Sequence, residues 1–173
     1  MQQFLQAVRD AIAHKNRYGA LAMALTLPDV CGNLDIPGRA NGVRYKDWTQ
    51  KWLAPKYVIN GTIFLEESDI YQFRCAMLHE GTANIPSKKK VTVEEIVFSD
   101  GPHVNLIVGN YIDGRKIPDT LQLDPLIFAQ EVCESVESWL SSVEGNPDIQ
   151  QRISQLLNIR PSNDSGVWEI RFY

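Results

Sequence analysis

Cysteine is scarce in this sequence: Cys31, Cys75 and Cys133 are the only three among 173 residues. Their number is odd, their spacing is wide, no C-x-x-C occurs, and none stands beside a histidine at zinc-ligand spacing. The pattern argues against a disulfide framework and a structural zinc site, and reduced, packed thiols are expected. Long apolar runs are missing too. The longest, Gly19 to Leu27, is too short to span a bilayer. The first ten residues lack the apolar core that follows a basic start in a signal peptide. A cytoplasmic protein with no membrane partner is expected. Nor is there an excess of positive charge. Lys and Arg total 17 against 21 for Asp and Glu, for a net charge of −4 and a pI of about 5.4. That balance argues against a protein that coats nucleic acid, because such affinity comes from neutralising phosphates, though it leaves room for one local basic site. There is no P-loop, no G-x-G-x-x-G, no G-x-S-x-G and no H-E-x-x-H. Most common nucleotide-, hydride- and ester-handling classes are thereby removed, and no cofactor or metal is expected.

What is present is the ordinary mixture of a globular chain, 44% hydrophobic and 22% charged. A chain of this length forms one domain with a core of its own. The periodicity is mainly helical. Phe4, Leu5, Val8, Ile12, Leu21 and Leu25 fall at three- and four-residue steps, which predicts one long helix over 3–27 ended by Pro28. Its small-residue half, Gly19 to Leu25, suits a central place in a bundle. A glycine- and proline-bearing connector follows over 28–44. The second helix runs from Tyr45 to Leu53 with Tyr45, Trp48 and Trp52 on one face. That face serves core packing, with base stacking the alternative. Asn60-Gly61 marks a turn. The third helix opens on Glu66-Glu67-Ser68-Asp69 and closes near Glu80 with Gly81 as its cap. Two strand-like runs, 91–98 and 104–108, flank Ser99-Asp100-Gly101-Pro102 and predict a hairpin near 91–108, with His103 exposed at its turn. Asp113-Gly114 is another turn. Asp124-Pro125 opens a helix to about Val143, and Asn146-Pro147 a shorter one to about Leu157. A strand-like tail near 167–172 places Trp168, Ile170 and Phe172 on one face.

One constellation in this frame carries chemistry. On a helical wheel Arg74 lands between Ile70 and Leu78, inside the apolar arc of the third helix. A guanidinium there is costly unless it is paired or faces a cavity or partner. His79 lies five residues on, about 140° round an α-helix, on the last turn where the backbone can loosen. Together they suit phosphodiester chemistry. Arginine offers forked donors to phosphate oxygens and cannot lose its charge. Histidine takes or gives a proton near neutrality. The same residues also read as structural: Arg74 in a buried ion pair, with Asp29 a candidate partner, and His79 meeting the helix dipole. Lys88, Lys89 and Lys90 follow in a loop and are candidates to guide an RNA backbone, or simply a solvated run. His14, Lys15 and Arg17 cluster on the first helix, with a solvated face as the simpler account. The adjacent pairs Glu66-Glu67 and Glu94-Glu95 make no catalytic carboxylate pair.

The stretch Tyr71-Gln72-Phe73-Arg74-Cys75-Ala76-Met77-Leu78-His79-Glu80-Gly81 resembles the R-x4-6-H signature of the HEPN superfamily, here with a gap of four. The stretches 20–32 and 48–52 resemble those of an uncharacterised bacterial branch of that superfamily. The resemblance spans roughly 1–81 and extends to the fourth helix. It implies a single HEPN-like domain over 1–173. The fold would be a mainly α bundle of four to five helices with a small β-hairpin inserted after the third. It also implies a homodimer whose two Arg–His pairs share one cleft, and a metal-independent endoribonuclease of the toxin or defence kind acting on RNA, with an antitoxin-like protein as a further partner. Arg74 would hold the scissile phosphate and His79 would be the acid/base. Non-catalytic members imply the alternative, a helical module that binds nucleotide, RNA or protein in the same cleft. The chain departs from the family pattern at Cys75, where active members often carry a polar residue. It departs again at Gly81, where members paired with a nucleotidyltransferase antitoxin carry tyrosine.

Overall fold

The computed structural model describes residues 1–82 and 95–159. It is mainly helical. The stretch read as one long helix is two: α1 covers Gln2–Ala13 and α2 covers Arg17–Asp35. The break has a local cause. Lys15 adopts a positive φ of 53°, and Asn16 then caps α2, its side chain accepting from the Gly19 amide at 3.0 Å. A Cβ on Gly19 would stand 2.7 Å from that Asn16 side chain, so a larger residue there would displace the cap.

Pro28 does not end α2, which continues to Asp35. A proline inside a helix removes one amide donor and costs about 3 kcal/mol. The cost is met by burial, because α1, α3, α5 and α6 all pack on α2. Ala20, Leu21, Ala24, Leu25, Leu27, Cys31 and Leu34 are buried along it, and each large apolar side chain so placed contributes about 1.5–3 kcal/mol.

The second predicted helix begins earlier than its aromatic residues suggest. As α3 it covers Asn41–Trp52. A Cβ on Gly32 of α2 would meet the Arg44 carbonyl at 2.8 Å, so the close crossing of these helices depends on that glycine. Tyr45 and Trp48 are buried, which makes this face core rather than a base-stacking surface. A short 3₁₀ turn (Ala54–Tyr57) leads into β1 (Val58–Ile59) and β2 (Thr62–Ile63), joined through Asn60-Gly61. Both turn residues have positive φ, 51° and 80°, as a type I′ turn needs.

Helix α4 spans Glu67–Cys75 and is opened by a capping box between Glu66 and Asp69. It passes directly into a π-helical turn, Ala76–Glu80, closed by Gly81 in the left-handed conformation at φ 67°.

The predicted hairpin near 91–108 is corrected. Its strands exist as β3 (Glu95–Phe98) and β4 (Asn105–Ile107) but do not pair with each other. Both flank β7 (Thr120–Leu123), β3 in parallel and β4 antiparallel. Between β4 and β7 lies a small hairpin, β5 (Tyr111–Ile112) and β6 (Arg115–Lys116), turning at Asp113-Gly114. The insertion is therefore a three-stranded mixed sheet, and residues 91–94 of the expected strand lie outside the described residues. The strand-like tail near 167–172 also lies outside them.

Helices α5 (Pro125–Ser142) and α6 (Pro147–Ser154) start where their sequence signals place them. Asp124 accepts from the Leu126 and Ile127 amides at 2.8 and 3.1 Å. Asn146 does the same for Asp148 and Ile149 at 3.1 and 3.2 Å. Among the described residues no helix is long and apolar enough to cross a membrane.

His103 is not the exposed turn residue that its position suggests, since its side chain is only 13% exposed. Its Nδ1 accepts from the Asp124 amide at 3.2 Å. That leaves the proton on Nε2, which donates to Glu131 at 3.1 Å. The buried Tyr57 hydroxyl donates to the same carboxylate oxygen. One glutamate on α5 thus satisfies two donors from two other segments. Glu131→Ala should lower unfolding free energy by about 2–3 kcal/mol, because it strands a buried phenol and an imidazole, whereas Ser138→Ala on the outer face should cost under about 0.5 kcal/mol. Urea denaturation of the two variants measures the difference.

Candidate functional site

The candidate site forms where α4, which packs on α3, sends a side chain across to α2. The continuation of α2 beyond Pro28 puts Asp29 on a helix rather than in a connector. Arg74, one residue from the end of α4, reaches across to it. Arg74 Nε donates to Asp29 Oδ2 at 2.9 Å, and Nη2 lies 2.7 Å from the same oxygen. The side chains are 17% and 19% exposed, so this is a largely buried pair. The ion pair offered by the sequence as the structural account of Arg74 is present.

The third nitrogen of the fork goes elsewhere. Arg74 Nη1 lies 2.8 Å from His79 Nε2. Five residues along a regular α-helix would leave these side chains on different faces. The π-helical turn over 76–80 changes that, because in an i→i+5 turn residues five apart stand on one side. The loosening expected near Gly81 therefore takes a definite form, and it brings the imidazole under the guanidinium. His79 itself is exposed.

Burial pulls the Arg74 guanidinium down, but the Asp29 charge and hydrogen bond, helped by Cys75, outweigh it and leave Arg74 above its ordinary value. Asp29 Oδ1 is shielded from solvent and has no hydrogen-bond partner among the described residues. Around the pair stand two tyrosines whose rings are 5.5 Å apart, Tyr45 and Tyr71. Tyr45 donates to the Leu25 carbonyl at 3.3 Å. Its phenol is pushed well up, first by burial and then by the Asp29 charge. A Cβ on Gly42 would stand 2.8 Å from the Tyr71 hydroxyl, so a side chain there would push the end of Tyr71 aside. Tyr71 was not singled out from the sequence, and its one signal is its place three residues before Arg74, on the same face of the helix.

No family model, curated protein or solved structure matches the chain.

The remaining candidates stand apart. Lys88, Lys89 and Lys90 lie outside the described residues. Arg17 pairs with Asp100 beside β3, and His14 Nδ1 contacts the Asp10 carbonyl at 2.8 Å, so neither joins the Arg74–His79 pair. An apolar cavity of about 430 Å³ lies between the start of α2, the end of α4 and β3. Leu21, Phe73, Met77 and Phe98 line it, and neither Arg74 nor His79 does. The cysteines are free. Burial pushes Cys133 up to about 11 and Cys31 well above its ordinary value, so neither is a thiolate at neutral pH. Among the described residues no three His, Cys, Asp or Glu side chains converge to hold a metal ion.

The arrangement can hold an anion at Arg74 and move a proton at His79. It also ties α2 to α4. A double-mutant cycle separates the structural share. Arg74→Ala alone should cost about 3 kcal/mol by stranding Asp29. The cycle with Asp29→Ala, read by thermal unfolding, should return a coupling of about 2 kcal/mol.

Proposed function

We propose that the protein is an endoribonuclease that cleaves RNA with Arg74 and His79 and needs no metal. The observation that carries this reading is the 2.8 Å approach of Arg74 Nη1 to His79 Nε2, with the imidazole exposed. Substrate phosphate needs access to both groups at once, and a phosphate-binding cation beside a titratable base is the minimum for transesterification. In the reaction His79 accepts the proton of a 2′-hydroxyl. The 2′-oxygen then attacks the adjacent phosphorus and the bond from phosphorus to the 5′-oxygen breaks. The departing 5′-oxygen takes a proton from an imidazolium, either the same one or His79 of a second copy in the proposed homodimer. The products are a 2′,3′-cyclic phosphate and a 5′-hydroxyl. Arg74 stabilises the charge that builds on the phosphoryl oxygens. The resemblance to HEPN toxins supports this reading and makes RNA in trans the substrate, with an antitoxin-like protein as the regulator.

A second reading is favoured by one specific observation. Asp29 already engages Nε and Nη2 of Arg74, which leaves less of the guanidinium for a phosphate. On this reading the chain is a non-catalytic helical module that binds nucleotide, RNA or protein at the same place.

RNA incubated with the purified protein in excess EDTA decides between them. Cleavage leaving cyclic-phosphate ends is expected. It should fall by about 100- to 10,000-fold in His79→Ala with no loss of thermal stability. Intact RNA with the wild-type protein, or cleavage that His79→Ala leaves unchanged, sinks the ribonuclease reading.

A further inference from the structure

The Arg74–His79 contact holds more information than its distance. A guanidinium carries five N–H donors and no acceptor. The 2.8 Å contact therefore has one polarity: Nη1–H donates and His79 Nε2 accepts. The imidazole is then neutral with its proton on Nδ1. An imidazolium has no lone pair at Nε2, and it would set two cations against each other. The Nε2 lone pair that a general base would use is thus occupied in the free protein.

The other edge of the guanidinium is differently held. Asp29 Oδ2 takes both Nε and Nη2, at 2.9 and 2.7 Å, from a side chain only 19% exposed. Charge-assisted bonds of this kind are about twice as strong as neutral ones. His79 Nε2 is the weaker partner: a neutral acceptor on an exposed side chain. Asp29 and His79 engage three of the five N–H donors, leaving one on each terminal nitrogen. A charged phosphate oxygen that binds the free Nη1–H pulls Nη1 toward itself and away from the neutral imidazole, while the buried carboxylate holds Nε and Nη2.

We infer that Arg74 is a phosphate-operated latch on His79: a phosphate oxygen takes Nη1, His79 Nε2 is released with its lone pair free, and Asp29 keeps the guanidinium in place throughout. The catalytic consequence, that substrate uncovers its own base, rests on the ribonuclease reading, whereas the exchange of acceptors at Nη1 does not. Asp29 is accordingly a positioning residue. It also neutralises Arg74 in the free state, so an isolated phosphate binds weakly and the latch opens best for phosphate delivered within an RNA chain.

The test follows the imidazole nitrogens in full-length, ¹⁵N-histidine-labelled protein, at a pH above the ordinary imidazole range, with His79 assigned from a His79→Gln sample. The free protein should show His79 with the proton on Nδ1. Titration with inorganic phosphate, and separately with a short 2′-O-methyl RNA that cannot react, should move His79 to mixed tautomers, the RNA at lower concentration. Arg74→Lys should show mixed tautomers with no ligand added. Asp29→Asn should weaken the Nδ1–H preference and lower kcat about tenfold with KM changed less than threefold, and Asp29→Glu should recover part of both. An Nε2–H tautomer in the free wild-type protein, or wild-type spectra unmoved by saturating RNA analogue, overturns the latch. Acceptor exchange without any cleavage by the wild-type protein leaves the latch standing and fails the ribonuclease reading. Cleavage with the wrong resting tautomer does the reverse.

Discussion

A guanidinium keeps its proton at any pH a cell experiences, and Arg74 sits on the apolar side of α4. That one constraint accounts for the link between α2 and α4, which itself packs on α3. The charge needs a counter-charge within reach, and the only way to supply it from α2 is to carry the helix beyond Pro28. Asp29 follows the proline directly. Had the chain turned into a connector there, the carboxylate would ride on a loop and the pair would lose its fixed geometry. The helix tolerates the missing amide because four other helices pack on it and bury Pro28 among its apolar residues. Packing of the whole bundle thus holds the ion pair in register, and the pair in return ties α4, which has only Ile70 and Phe73 as large buried anchors, to the centre of the fold.

The legible parts of this structure were those whose causes are local. Asp124-Pro125 and Asn146-Pro147 open helices because one side-chain oxygen meets two nearby amides. Asn60-Gly61 and Asp113-Gly114 turn because those residues tolerate positive φ. Gly81 caps the motif helix for the same reason. The misreadings have a common cause too, in long-range partners outweighing a local rule. Pro28 reads as a stop until the packing of four other helices on α2 is counted. The two strand-like runs around Ser99 to Pro102 read as a hairpin because they are neighbours in sequence. The strand that pairs with both, Thr120–Leu123, is more than a dozen residues downstream, and its alternation lasts only four residues. His103 reads as exposed because nothing near it in sequence reveals Glu131. The break at Asn16 is the exception. A capping residue three before a glycine was visible, but the apolar period ran through it.

The candidate site was legible in part. The awkward place of Arg74 on the wheel pointed to a partner, and Asp29 stood among the candidates for a buried ion pair. The approach of His79 was less so. A regular helix puts it about 140° away from Arg74, and only a changed helical pitch closes that gap. Sequence pattern hints at such a change through the nearby Gly81 but does not say that the turn widens rather than frays. Tyr71 and Gly42 were out of reach, because their meeting depends on how closely α3 crosses α4.

Three departures from local preference converge on one small region: a proline inside α2, a charged side chain on an apolar arc, and a π-helical turn at the end of α4. Each costs stability on its own, and none is needed to make a helical bundle. A leucine at 74 would pack the arc without a counter-charge, and an apolar residue at 29 would then follow. Two of the departures meet directly, since Asp29 follows the proline and pairs with Arg74, and the third brings His79 to the same guanidinium. Departures from local rules are found more often at functional sites than elsewhere. The geometry held here is a cation fixed on one edge by a buried carboxylate, with its other edge resting on an exposed imidazole.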